Sequence, residues 1–118
     1  MKNDKLTPER KIAGVNGQEI VLRIPKPEFD AQVLEKANQI TERLKKDGAA
    51  VSEATFAEVA KGQSENPVTA GNGGKLPGPV KQNVNKPDDP YQQLLSMKPG
   101  EITEPISFQG RYFILRRG

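Results

Sequence analysis

From Gly62 to Pro90 the chain is crowded with glycine, proline and asparagine, and its apolar residues thin out to Val68, Leu76, Val80 and Val84. Glycine offers no side chain to pack, and proline removes a backbone donor from any strand or helix it enters. A stretch of this composition cannot build a packed element of its own. The core must therefore come from the segments on either side. A loop this long within a small domain is usually functional or mobile, so it is also the first place to look for a site.

The flanking segments carry clear periodicity. Ile12, Val15, Ile20, Leu22 and Ile24 surround Asn16-Gly17, a pair that tolerates the positive φ of a tight hairpin. A short strand is predicted at about 11–15 and a longer one at about 19–24. Residues 1–10 are polar and predicted to fray, which leaves 11–118 as one domain. Pro25 and Pro27 end the strand, and Pro27 suits a first helical turn. Phe29, Val33, Ala37, Ile40 and Leu44 then recur at helical spacing, predicting a helix over 28–46 closed by Asp47-Gly48.

Thr55-Phe56-Ala57-Glu58 has the pattern of a capping box, opening a second short helix through Val59 and Ala60 that Gly62 closes. Asp88-Asp89-Pro90 caps a third, carrying Leu94, Leu95 and Met97. After the turn Lys98-Pro99-Gly100-Glu101, residues 102–108 and 111–116 flank Gln109-Gly110 as a hairpin. This order predicts an α+β domain with a mostly antiparallel sheet.

Composition removes whole classes of chemistry. The chain of 118 residues has no cysteine and no histidine. Disulfides, thiolate sites and a Ser-His-Asp triad are excluded, and no metal or other cofactor is expected. The 18 basic and 15 acidic residues give a net charge of +3 and are intermixed, unlike the clustered basic face of a nucleic-acid binder. No segment is apolar enough to span a membrane. Met1-Lys2-Asn3-Asp4-Lys5 has no apolar core of a signal peptide, and the end at Arg116-Arg117-Gly118 fits a module of a longer protein. Gly71-Asn72-Gly73-Gly74 lacks the Lys-Ser/Thr ending of a phosphate loop. Glu58, Asp88, Asp89 and Glu101 stand where caps and turns favour acids, which argues against a glycosidase-like carboxylate pair.

Six segments then fall in a recognisable order: the helix ending Arg43-Leu44-Lys45-Lys46-Asp47-Gly48, Thr55-Phe56-Ala57-Glu58-Val59-Ala60, Gln63-Ser64-Glu65-Asn66-Pro67, Gly73-Gly74-Lys75-Leu76, Lys98-Pro99-Gly100-Glu101-Ile102, and Gly110-Arg111-Tyr112-Phe113-Ile114-Leu115. Over residues 19–117 the chain resembles the parvulin (PpiC-type) rotamases. The resemblance implies a four-stranded antiparallel sheet flanked by about three helices. It also implies a shallow apolar groove in which an extended Xaa-Pro peptide binds while rotation about the prolyl bond is accelerated without covalent chemistry. Proline-containing segments of unfolded clients are the implied partners, and a place outside the cytoplasm is favoured.

The chain departs from the family's pattern in its polar centre. The family's histidines fall near Arg23 and on Tyr112, its acidic or cysteine position falls on Asn66, and Pro77 stands where a glycine is usual. Asn66, Tyr112 and Arg23 are thus the candidate catalytic residues, and Leu76, Tyr91 and Phe108 the candidate substrate-binding walls. Each also has a plainer reading. Tyr112 packs on the sheet, Arg23 is a solvated edge residue and Asn66 is a turn former. Leu76 anchors the loop, Tyr91 caps the core and Phe108 packs below the sheet. The prolyl barrier of about 18–20 kcal/mol yields to an apolar slot, a desolvated amide and hydrogen bonds that favour the twisted state, with no proton transfer. An isomerase therefore stands first, and a degenerate domain that holds peptides as a chaperone module stands second.

Overall fold

The structure, a computed structural model, describes residues 14–48, 50–86 and 88–118. The predicted frayed terminus and most of the first predicted strand lie outside them. Strand β1 (Gly17–Arg23) leads through a 3-10 turn (Pro27–Phe29) into helix α1 (Asp30–Leu44), followed by a second 3-10 turn (Lys45–Asp47). Helix α2 (Glu53–Gln63), the single-turn α3 (Pro67–Ala70) and a 3-10 helix (Pro90–Ser96) come next, then β2 (Ile106–Phe108) and β3 (Arg111–Arg117).

The sheet has the order β1-β3-β2 and is antiparallel throughout. Gly17 lies opposite Arg117, Leu22 opposite Tyr112, and Arg23 opposite Arg111. The β2–β3 hairpin turns at Gln109 and Gly110, both with positive φ (51° and 75°), the geometry that matches strand twist.

Strand alternation separates two cores. Ile20, Leu22, Tyr112 and Ile114 face α1 and α2, where they meet Ala37, Ile40, Leu44, Phe56, Val59 and Ala60. Val21, Phe113 and Leu115 face the opposite way, onto Leu94 and the half-buried Leu76, Val80, Tyr91 and Phe108. The helices thus cover one face of the sheet, while the glycine- and proline-rich stretch and the 3-10 helix cover the other.

Several expectations need correction. The hairpin at Asn16-Gly17 does not form: Val15 exchanges backbone hydrogen bonds with Val80 (2.9 and 2.8 Å), and Gly17 opens β1. The edge that hairpin would have used is already occupied. Glu65 N–H donates to Val21 (2.7 Å), Glu19 N–H donates to Gly74 (2.7 Å), and Leu76 N–H donates to Gly17 (3.0 Å). This broken edge stands where a fourth strand was expected, so three strands form among the described residues. Its glycines and prolines prevent a continuous ladder but allow single bonds at intervals. The 62–90 stretch accordingly has more structure than its composition suggests, including α3.

Helix α2 starts earlier than the Thr55 pattern indicated. Ser52 Oγ accepts from Thr55 N–H (3.1 Å), making Ser52 the cap, and the helix runs through Gly62 to Gln63. The third predicted helix forms as 3-10, with Asp89 Oδ1 accepting from Tyr91 N–H (3.0 Å) as its cap.

Candidate functional site

The sheet face turned away from α1 presents Glu19, Val21 and Arg23 from β1 and Arg111 and Phe113 from β3, each set two residues apart as pleating requires. Two adjoining pockets open on this face. One, of about 510 Å3, has Val21, Phe113, Phe108 and Tyr91 among its lining, with Arg23, Arg111, Glu65 and Asp89 at its rim. The other, of about 360 Å3, is walled mainly by Val68, Leu76, Pro77, Val80 and Tyr91. Asn66 and Tyr91 line both and form the partition between them.

The partition is held from below. Glu19, only 1% exposed, lies beneath it. One of its carboxylate oxygens accepts from the Tyr91 hydroxyl. The other accepts from Asn66 Nδ2 and from Thr69 Oγ1, each at 2.6 Å. Tyr91 also packs edge-on against Phe113, with ring centroids 5.7 Å apart, and Phe108 meets Phe113 at 6.3 Å. Burial, reinforced by the Glu19 hydrogen bond, pushes the Tyr91 hydroxyl well above its ordinary range. It is therefore a neutral donor at any physiological pH.

The structure brings most of the candidate residues together and excludes one. Tyr91 and Phe108 line the larger pocket, Leu76 the apolar one, and Asn66 both. Asn66 is also the cap of α3, its Oδ1 accepting from Val68 N–H (3.1 Å), the turn-forming geometry of the plainer reading. Arg23 is exposed at the rim, and its backbone N–H donates to Glu65 (2.5 Å). Tyr112 is on the wrong side of the sheet for the role expected of it. It shares a face with Ile20, Leu22 and Ile114 and donates to Asp30 Oδ1 (2.6 Å), a bond that raises the pKa of its hydroxyl. Its neighbour Phe113 takes the site-facing position.

Glu19, Phe113 and Arg111 belong to the site and were not among the sequence candidates. Glu19 left a signal: a carboxylate next to the apolar run Ile20-Val21-Leu22 of a strand. No group of three or more carboxylates that could hold a metal occurs among the described residues.

A sequence profile for the rotamase family, described as the PPIC-type PPIASE domain, matches residues 20–117. The chain belongs to this family. Solved structures agree on the fold. The PPIase domain of TbPar42 superposes with a TM-score of 0.71 at 19% identity, over 88% of this chain and 98% of that one. The archaeal Pin of Cenarcheaum symbiosum gives 0.63 at 20% identity, over 91% and 93%. PrsA from Bacillus anthracis, described as a peptidylprolyl isomerase, gives 0.65 at 18% identity, over 98% of this chain but 45% of its own. The chain thus spans less than half of that longer relative. No curated protein matches the chain.

In this parvulin domain the polar centre is built from Glu19, Tyr91, Asn66 and Thr69 without histidine. Tyr112→Phe will leave the pocket face, and any peptide binding or turnover there, unchanged and will lower stability by about 0.5–1.5 kcal/mol, the usual net loss for one hydrogen bond. Urea unfolding and a prolyl-isomerisation assay on the same preparation measure the two effects. A fall in turnover with unchanged stability would place the hydroxyl back in the site.

Proposed function

We propose that this parvulin domain accelerates cis-trans rotation of Xaa-Pro bonds in extended or unfolded chains, as one module of a longer folding factor. The observation that carries the reading is the pair of adjoining pockets, one apolar and one mixed, divided by Asn66 and Tyr91. A prolyl ring fits the apolar pocket against Leu76 and Tyr91. The preceding residue then crosses Asn66 into the larger pocket, bounded by Phe108. Arg23 and Arg111 at the rim are placed to meet peptide carbonyl oxygens or an acidic side chain.

Catalysis in such a site is differential binding. Apolar walls strip water from the prolyl amide. A donor that bonds better to the twisted state than to the planar one lowers the barrier. An amide nitrogen carries two protons, so Asn66 Nδ2 has one to offer a substrate while the other bonds Glu19. The family match supports the reaction class, and the foldase name carried by the PrsA of Streptococcus pneumoniae, 21% identical, suits clients that are unfolded chains.

The test is an NMR titration with a short Ala-Pro peptide, followed by exchange spectroscopy on its cis and trans signals. Shifts at Leu76, Tyr91 and Phe108 with accelerated exchange are expected. Leu76→Ala will weaken binding roughly fivefold to thirtyfold, the scale of one partly buried aliphatic side chain. Shifts in the same residues without accelerated exchange would make the domain a peptide-holding module. Shifts confined to α1 would refute the site.

A further inference from the structure

We propose that Glu19 is the positioning residue of this site: it holds Tyr91 and Asn66 as the partition between the pockets, and so sets the preference for proline in the apolar one. The inference rests on the peptide-binding reading above.

The placement of the carboxylate is hard to account for by packing. Glu19 stands on β1 where alternation would accept another apolar residue beside Val21. A buried carboxylate is costly unless its hydrogen bonds are satisfied. Among the described residues no lysine or arginine pairs with it, and its side-chain partners are the three neutral donors of Tyr91, Asn66 and Thr69. Those partners are not scattered. Asn66 and Tyr91 are the two residues that line both pockets, and Thr69 lines the apolar one.

All three donors belong to segments with little regular structure of their own, the single-turn α3 with its cap and the 3-10 helix. Glu19 belongs to a strand bonded along β3 over its whole length. A rigid element thus fixes the parts of the site that their own backbone does not, which is what a precise site needs from its support. With the tether intact, the Tyr91 ring stays against Phe113 and keeps the apolar pocket separate from the larger one. Without it the two pockets merge, and proline loses its advantage over an ordinary side chain.

The chain has two tyrosines and no tryptophan. In a Tyr112→Phe background, tyrosinate absorbance therefore reports Tyr91 alone. Two quantities are measured in that background: the titration of Tyr91, and the affinities of an Ala-Ala-Pro-Ala peptide and its all-alanine counterpart. Glu19→Gln will move the Tyr91 titration down toward the ordinary range. It will also lower the proline-over-alanine preference roughly fivefold, the scale of one lost hydrogen bond. Tyr91→Phe, which removes only the hydroxyl and so one of the tethers, will lower the preference by no more than Glu19→Gln does and keeps the test valid if Glu19→Gln fails to fold. The double variant will lower it no further than Glu19→Gln alone, because the Tyr91 bond is among those that the Glu19 change already disrupts. A preference that survives Glu19→Gln or Tyr91→Phe, or that falls additively in the double variant, overturns the proposal while leaving the peptide-binding reading in place. A parent protein with no preference for the proline peptide overturns that reading, and this inference with it.

Discussion

Phe56→Ala will destabilise the domain by about 3–5 kcal/mol, the range for removing a large buried aromatic. Phe56 has no exposed surface. It sits in the first half of α2 within the cluster that joins that helix to α1 and to the faces of β1 and β3. Truncation leaves a cavity that the surrounding strands and helices cannot close without giving up contacts among themselves, because Ile20 and Ile114 are held by the sheet. Domains of this size have about 5–15 kcal/mol in total, so the variant will lie near the edge of folding. The measurement is the urea midpoint, with the slope of the transition checked for constancy. An unchanged midpoint would mean that α2 does not seat the core as described.

Gly74→Ala will cost about 2–5 kcal/mol and will disable the site as well. Gly74 has a φ of +83°, and a Cβ built on it would lie 2.4 Å from the Glu19 backbone oxygen. The left-handed backbone costs a residue with a side chain roughly 1–2 kcal/mol, and forcing an extra methyl into packed surroundings typically adds about 1–3 kcal/mol. The neighbour that would have to yield is backbone, so side-chain adjustment gives no relief. The same glycine accepts the hydrogen bond from Glu19 N–H. Pushing it outward loosens β1 at the residue that holds Tyr91 and Asn66, so peptide affinity will fall along with stability. Gly71→Ala is the control. Gly71 is right-handed (φ −63°) and has open space around it, so alanine there will be neutral or stabilising by up to about 1 kcal/mol. Thermal unfolding of the two variants side by side decides the matter: equal melting points would refute the close approach.

Much of the fold was legible because the relevant signals are local. The apolar spacing of α1, the strand character of β1 and β3 and the Gln109-Gly110 turn each follow from a few adjacent residues. The start of α2 was misplaced because Ser52 and Thr55 are both good caps, and only the direction of the hydrogen bond distinguishes them. The side of the sheet on which Tyr112 lies was beyond pattern reading for a different reason. Both faces of β3 are covered, and Tyr112, Phe113, Ile114 and Leu115 are all buried, so the run shows no polar alternation from which to assign a face. Motif alignment placed Tyr112 at a family position but said nothing about which pocket its neighbour fills. Glu19 was visible as an oddity, yet its partners lie 47 to 72 residues away, a distance that periodicity does not bridge.

The register of the sheet has a consequence for synthesis. β3 lies between β1 and β2, and Gly17 pairs with Arg117. A chain emerging from the ribosome at about 5–20 residues per second makes Gly17 roughly 5–20 s before its partner exists. During that interval β1 has no neighbour on its β3 side, and Ile20 and Leu22 have only an incomplete core to enter. The hairpin that completes the sheet is the last part of the domain to be made, so the sheet cannot close until the whole length of the domain has been translated. Pairings this distant in sequence are also slow to form. For as long as it is being made, the domain is itself an unfolded chain, the kind of client proposed for it.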